Sequence, residues 1–128
     1  MAISPEDILM FAEDCSRKSG EVNHRNAVAR SYYASFHCVK QCLVNEPDSQ
    51  TSSVHAHLIR YLEKDAVRNE PALAGTKEGM ALSYMLKALK TRRVIAEYEL
   101  DDNFDEAQAS LAVADAKKLF ARCNELFK

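Results

Sequence analysis

Turn-forming residues are scarce in this chain, and this scarcity constrains the fold more than any other feature. Three glycines and three prolines occur in 128 residues, which is too few for the many tight turns of a β-sandwich or a barrel. Apolar residues instead recur at three- and four-residue spacing along the whole chain, as they do in amphipathic helices. The sequence therefore predicts an all-α protein.

Start and stop signals divide this pattern into five helices. Ser4-Pro5 is typical of a helix start and Gly20 of a helix end, while the polar residues 45–53 predict a loop. The predicted helices are 4–20, 23–43, 54–70, 76–100 and 105–126. Their apolar stripes, which include Phe11, Val54 and Leu100, are expected to face one core. The prediction is an antiparallel four-to-five-helix up-and-down bundle that forms a single domain over residues 1–128.

Composition narrows the classes of function. A formal net charge of −2 excludes a generally cationic nucleic-acid coat, although a local basic groove remains compatible with it. No apolar run approaches the roughly 18 residues of a membrane span. The N-terminal residues carry acid where a secretory signal carries Lys or Arg. We therefore expect a cytoplasmic protein with no membrane partner.

The chain has four cysteines, Cys15, Cys38, Cys42 and Cys123, which we expect to be reduced in a cytoplasm. Cys38 and Cys42 are one helical turn apart and could form half of a metal site. The other interpretation, small buried hydrophobic residues, is favoured because no Cys/His cluster at zinc-finger spacing accompanies them. We predict no metal and no cofactor.

Four polar side chains share one face of the predicted second helix. At 100° per residue, Asn26, Arg30, Tyr33 and His37 fall within about 60° of arc, well away from the apolar face of the same helix. We refer to these four residues as the polar stripe. The stripe contains neither Glu nor Lys, which a plain solvated surface would more usually carry.

The polar stripe has the residue types needed to act on a phosphodiester. An arginine offers a planar fork of donors that matches phosphate oxygens, and a histidine can transfer a proton near neutral pH. Together Arg30 and His37 suit attack of an RNA 2′-hydroxyl on its neighbouring phosphate, a reaction that needs no metal. The alternative is that both side chains only hydrogen-bond to neighbouring helices or to a second subunit.

Polar residues elsewhere also allow two interpretations. Arg93 lies on the apolar seam of the fourth helix, so it needs either a carboxylate such as Glu97 or a bound phosphate. His55 and His57 point about 200° apart and cannot chelate one metal from a regular helix. His55 either lines a cleft beside the polar stripe or caps its own helix.

Two charged segments also allow two interpretations each. The basic residues 87–93 could hold an RNA backbone or form an ordinary solvated face. The acidic residues 97–106 are explained by a helix end and the next helix start better than by magnesium binding.

Three separated segments resemble one protein family. Residues 25–37, which include Ser31-Tyr32-Tyr33-Ala34-Ser35-Phe36-His37, resemble the signature of HEPN domains, the higher eukaryote and prokaryote nucleotide-binding helical bundles. The likeness is closest to small stand-alone members with an SRAYYAAFH-like second helix. Ser53-Val54-His55 is similar to their Ser/Thr-His element, and residues 93–98 match their R-x-x-A-[DE]-Y element. The resemblance covers nearly the whole chain.

The resemblance implies a helical bundle that dimerises. In the ribonuclease members of the family, an arginine and a histidine separated by four to six residues face the dimer cleft and cut RNA without a metal. Arg30 and His37, with six residues between them, fit that spacing, whereas Arg25 is too far from His37. The implied function is an endoribonuclease of the toxin or defence type with Arg30 and His37 as its catalytic residues.

The resemblance also implies binding residues and partners. Asn26, Tyr33, His55 and Arg93 would contact RNA or a nucleotide, with Asn26 orienting the phosphate or the histidine. The expected assembly is a homodimer, and a nucleotidyltransferase-type antitoxin is a possible partner. Toxins paired with such enzymes often have a tyrosine where this chain has Val39. The alternative function is a non-catalytic HEPN module that binds a nucleotide or a nucleotidyltransferase.

Overall fold

The computed structural model describes residues 2–48 and 53–128. These residues form six α-helices and one short 3-10 turn at Pro71–Leu73, and no strand occurs among them. The helices are α1 (Pro5–Ser16), α2 (Glu21–Cys42), α3 (Val54–Lys64), α4 (Ala66–Asn69), α5 (Glu78–Tyr98) and α6 (Glu106–Leu126). The all-α prediction is confirmed, and residues 49–52 of the predicted loop lie outside the described part of the chain.

Two helix starts have capping boxes, and one of them is the start that the sequence predicts at Ser4-Pro5. The Ser4 hydroxyl accepts a hydrogen bond from the Asp7 backbone N–H at 3.1 Å, and the Asp7 carboxylate accepts one from the Ser4 N–H at 2.9 Å. Asp105 and Gln108 form the same reciprocal pair at the start of α6, with both bonds at 2.9 Å. Each capping box satisfies two donors that the first helical turn would otherwise leave unpaired.

The prediction of one continuous third helix over 54–70 is wrong, because the helix is interrupted at Asp65, and the short helix α4 follows it. The Glu70 side chain, 1% exposed, accepts hydrogen bonds from the Tyr61 hydroxyl at 2.6 Å and from the backbone N–H groups of Val44 and Asn45 at 2.9 and 2.8 Å. In an unbroken helix, Tyr61 and Glu70 would point to opposite sides about 13 Å apart along the axis. The break allows them to meet beneath the end of α2.

The four long helices alternate in direction. α1 and α2 are joined by residues 17–20 alone, which makes them antiparallel neighbours. Ion pairs of Arg122 with Glu78 and of Arg92 with Asp115 show that α5 and α6 are also antiparallel. α2 packs against α1, α5 and α6, while α3 packs mainly against α5. The result is an up-and-down bundle in which α2 is the central helix.

The core contains most of the predicted apolar stripes, including the fully buried Tyr32 of α2. Cys15, Cys38 and Cys123 are buried in it as free thiols, and Cys42 is partly buried. The burial predicted for Phe11, Val54 and Leu100 is wrong, since all three are exposed. Leu100 follows the end of α5, Val54 is the first residue of α3, and Phe11 lies beside the buried stripe of the peripheral helix α1.

Among the described residues, no helix combines the length and the apolar composition needed to cross a membrane.

Candidate functional site

The polar stripe lies on the surface of α2. Arg30 and His37 are exposed, whereas Asn26 and Tyr33 are partly buried. Neither Arg30 nor His37 has an ion pair or a hydrogen bond with any residue that the structure describes; their contacts are with aromatic rings. Among the described residues, the bundle therefore forms without a carboxylate partner for Arg30 and without a hydrogen bond to the ring nitrogens of His37.

The Tyr33 ring connects the stripe with α5. The guanidinium carbons of Arg30 and Arg93 lie 5.1 and 5.0 Å from its centroid, within the range of cation–π contacts. Arg93 also donates a hydrogen bond to the Tyr33 hydroxyl. Two permanent positive charges thus lie against one aromatic ring.

Arg93 has the carboxylate partner that its position on the α5 seam predicts. Its side chain is 16% exposed and pairs with Glu97 at 3.2 Å. Burial opposes its charged form, but the hydrogen bond to Tyr33 and the attraction of Glu97 together raise the pKa of Arg93. Its buried Nε has no hydrogen-bond partner among the described residues. Arg93 is therefore held charged and in place beside the stripe.

His55 faces α2 and brings a second imidazole to this surface. It shares a 2.8 Å hydrogen bond with the Tyr32 hydroxyl through Nδ1, and its ring centroid lies 4.3 Å from that of Phe36. Burial lowers the pKa of His55, and the charges of Arg93, Lys90 and, when it is protonated, His37 act in the same direction. Of the two interpretations of His55, the structure agrees with a side chain that lies beside the stripe.

His57 belongs to a different region. Its Nε2 lies 2.8 Å from the carbonyl oxygen of Pro47 and 3.5 Å from the Glu46 carboxylate. Glu46 also pairs with Lys40 at 2.9 Å. His57 thus ties α3 to the segment that follows α2, and it points away from His55, as the two-residue spacing predicts.

Shallow grooves flank the polar stripe on the side of α1. One, of about 510 Å³, is lined by Asn26 and Arg30 from α2 and by Phe11 from α1. A second, next to His37, is lined by Lys40 and by Ile3, which lies just before α1. Ile3 and Phe11 are exposed. The helical spacing of apolar residues does not predict this apolar margin, although the position of Ile3 before the helix cap indicates an apolar residue outside the core.

Arg25, about one and a half turns before Arg30, has a structural role that its position in the sequence does not predict. Its guanidinium donates to the carbonyl oxygens of Ala96 at 2.8 Å, Glu99 at 3.2 Å and Leu100 at 3.3 Å, and also to that of Asp102. These carbonyls belong to the last turn of α5 and the residues after it. Arg25 therefore caps a helix C-terminus, where cations are favourable.

The described residues contain no group of three or more His, Cys, Asp or Glu side chains placed to hold a metal ion.

The chemistry available at this surface is that of an anion site with proton-transfer groups. Arg30 is a cation without a carboxylate partner among the described residues, and Arg93 is a second cation against the same Tyr33 ring. His37 lies close enough to His55 for its charge, when present, to act on that histidine. Such a surface suits phosphate, because arginine forks match its oxygens.

Comparison with known protein families, with curated proteins and with solved structures finds no match for this chain.

Proposed function

We propose that this protein is a HEPN-type endoribonuclease of the toxin or defence kind, acting on RNA in the cytoplasm. The observation that carries the proposal is the position of Arg30 and His37. Both lie exposed on one face of α2, and neither forms an ion pair or a hydrogen bond with a described residue. The side chains that the chemistry requires are therefore free to meet a substrate.

The proposed reaction is internal transfer of an RNA phosphodiester. His37 takes the proton from a ribose 2′-hydroxyl, and the 2′-oxygen attacks the adjacent phosphorus. The bond from phosphorus to the 5′-oxygen breaks, and that oxygen receives a proton from a second acid. The products are a 2′,3′-cyclic phosphate and a 5′-hydroxyl. Arg30 stabilises the additional negative charge of the pentacoordinate phosphate, in a reaction for which we propose no metal.

We propose that Asn26, Tyr33, His55 and Arg93 bind the substrate around this pair. Both guanidinium groups lie about 5 Å from the centroid of the Tyr33 ring, so this ring brings the two cations near one another. Arg93 is already paired with Glu97 and therefore contributes less net charge than Arg30 does. Asn26 lines the same groove as Arg30 and is suited to orient a phosphate oxygen.

A homodimer would supply the second acid. Two-fold symmetry brings the same surface of each subunit to itself, so two polar stripes that face each other would place two histidines around one phosphate. The exposed apolar residues Ile3 and Phe11 flank the stripe. They can supply the apolar contacts that such an interface requires.

The second candidate is a non-catalytic HEPN module that binds a nucleotide or a nucleotidyltransferase-type antitoxin. The observation that favours it is the Arg30–Tyr33–Arg93 cluster, which suits a phosphate group whether or not a bond is broken. A nucleotidyltransferase encoded next to this protein would support such a partner. Nucleotide binding without RNA cleavage would favour this candidate over the nuclease.

The test is incubation of the purified full-length protein with total RNA. We expect cleavage that leaves 5′-hydroxyl ends and that falls by about 100-fold or more in His37→Ala, the usual loss for a general acid or base. Lys118→Ala, an exposed change on α6, serves as the matched control and should cleave like the wild type. Equal cleavage by His37→Ala and the control would refute the assignment.

A further inference from the structure

A groove between α3 and α5 adjoins the candidate site but is not part of the polar stripe. Its volume is about 600 Å³, within the usual range of about 300–1,000 Å³ for small-ligand pockets. Its apolar lining comes from Ala56, Ile59, Val94 and Ile95. We call it the α3–α5 groove. It can accept a flat apolar group such as a nucleobase.

Basic residues surround this apolar lining. Arg60, Lys87 and Lys90 line the groove together with one acid, Glu63, which pairs with Lys87. Arg60 and Lys90 form no ion pair with any residue of the described ranges 2–48 and 53–128. Two cations are therefore available beside the groove, although the chain as a whole has a net charge of −2.

Two tyrosines on the outer face of α5 extend the same surface. Tyr84 is 75% exposed and Tyr98 is 68% exposed. Together with Lys87, Thr91 and Val94 they fall within about 80° of arc along the helix, and the two tyrosines are about 21 Å apart along its axis. Exposed aromatic rings interleaved with cations are typical of surfaces that bind single-stranded nucleic acid. Protein–protein interfaces, in contrast, are depleted in lysine.

The groove begins where the candidate site ends. Ala56, which lines the groove, follows His55 directly, and Lys90 is one turn before Arg93 on α5. Lys90 is close enough to His55 for its charge to contribute to the lowered pKa of that histidine. A chain bound near Arg30 and His37 can therefore continue past Arg93 into the groove without leaving the protein surface.

We propose that the substrate is single-stranded RNA and that its segment next to the scissile phosphate lies along the α3–α5 groove. This inference rests on the proposed function. Arg60 and Lys90 contact the phosphates, while unstacked bases lie against Val94 and the rings of Tyr84 and Tyr98. A duplex is a poor ligand because its bases are already stacked and paired, and they cannot lie flat on a side chain.

The experiment measures binding separately from cleavage. The full-length His37→Ala protein is titrated into a fluorescently labelled 12-nucleotide RNA, offered as a single strand or as a blunt duplex, and anisotropy is recorded. Tyr84→Ala and Tyr98→Ala are added singly, with Leu111→Ala on α6 as an exposed apolar control. Lys90→Glu and Arg60→Glu are compared with Lys118→Glu, which makes the same change from a positive to a negative charge at an exposed position on α6.

We expect each tyrosine variant to bind the single strand about tenfold more weakly, as is usual when a stacking ring is removed. Lys90→Glu and Arg60→Glu should also bind more weakly and with a shallower salt dependence, while both control variants match the parent. The duplex should bind more weakly than the single strand.

Binding that the four groove variants leave unchanged overturns this inference, and so does a preference for the duplex. If the wild type still cleaves RNA in a manner that depends on His37, the proposed function survives either result. If the parent binds no RNA and the wild type cleaves none, both proposals fail. A change of oligomeric state in Tyr84→Ala or Tyr98→Ala, with RNA binding unaltered, would assign this face to a second copy of the chain and would also overturn the inference.

Discussion

Two arginines on α2 differ completely in how the bundle uses them. Arg25 is 13% exposed, pairs with Glu21 at 3.0 Å, donates to four backbone carbonyls and lies over the Phe104 ring. Arg30, five residues later, is exposed. It forms no ion pair or hydrogen bond with a described residue, and its guanidinium lies over the Tyr33 ring. Arg25 has few donors left for a ligand, whereas all the donors of Arg30 remain available.

This difference separates structural from functional polar residues. A buried polar group stabilises the fold when its partners are complete, and Arg25 and Glu70 both meet this condition. A charged group without partners adds little to stability and is free to bind a ligand. We therefore expect changes at Arg25 and Glu70 to alter the free energy of unfolding, and changes at Arg30 and His37 to alter activity instead.

The largest expected effect on stability is that of Glu70→Ala. Removal of this buried carboxylate leaves the buried Tyr61 hydroxyl and two partly buried backbone N–H groups without their acceptor, and a hydrogen bond to a charged group contributes about 1.5–3 kcal/mol. We expect a loss of about 4 kcal/mol in the free energy of unfolding, measured by urea denaturation. Asp101→Ala, an exposed change, is the control; equal midpoints for the two variants would contradict the role of Glu70.

Arg25→Ala should have the next largest effect. The last turn of α5 loses its cap, and hydrogen bonds from a charged donor contribute about 1.5–3 kcal/mol. We expect a loss of about 2–3 kcal/mol in the same measurement. Hydrogen exchange should become faster mainly at the end of α5, and protection there that equals the wild type would exclude the capping role.

A pH-dependent effect is expected at His55. Its pKa in the folded protein is lowered below the ordinary value of 6.5, chiefly by burial, so below pH 6.5 the unfolded chain binds a proton that the folded chain does not. Stability should therefore fall as the pH drops from 6.5 through the folded-state pKa. His55→Gln should show a flatter decline in urea unfolding over this range. An unchanged pH dependence in this variant would show that His55 does not contribute to it.

Arg30→Ala should have the smallest effect on stability. Surface changes away from caps and networks usually alter the free energy of unfolding by no more than about 0.5 kcal/mol, and Arg30 has no ion pair or hydrogen bond with a described residue. Its urea midpoint should match that of the wild type. A loss comparable to that of Arg25→Ala would remove the contrast between the two arginines.

Local periodicity explains which parts of this molecule could be predicted from sequence. The polar stripe and the position of Arg93 follow from 100° of rotation per residue, and the helix start at Ser4-Pro5 follows from the residue types that helix N-termini prefer. The cap formed by Arg25 depends on Ala96, 71 residues away in the chain, and the burial of the Glu70 carboxylate depends on its hydrogen bond from Val44, 26 residues away. No local pattern specifies such contacts, so the break at Asp65 could not be anticipated.

The apolar margin beside the stripe illustrates the same limit. Helical spacing assigned Phe11 to the core, because the spacing of apolar residues does not show how much of a peripheral helix is covered. In the structure Phe11 lines a groove with Arg30. The bundle leaves this face of α1 open, and its exposure depends on how the helices pack and not on the local spacing of apolar residues.

The central proposal is that Arg30 and His37 lack ion pairs and hydrogen bonds with the described residues because they act on RNA. It is tested most directly by the cleavage rate of Arg30→Ala on labelled single-stranded RNA, with urea unfolding measured on the same preparation. We predict wild-type stability together with cleavage slowed by about 100-fold or more, the usual loss when a donor to the transition state is removed. Cleavage at the wild-type rate by a fully folded Arg30→Ala protein would contradict the account.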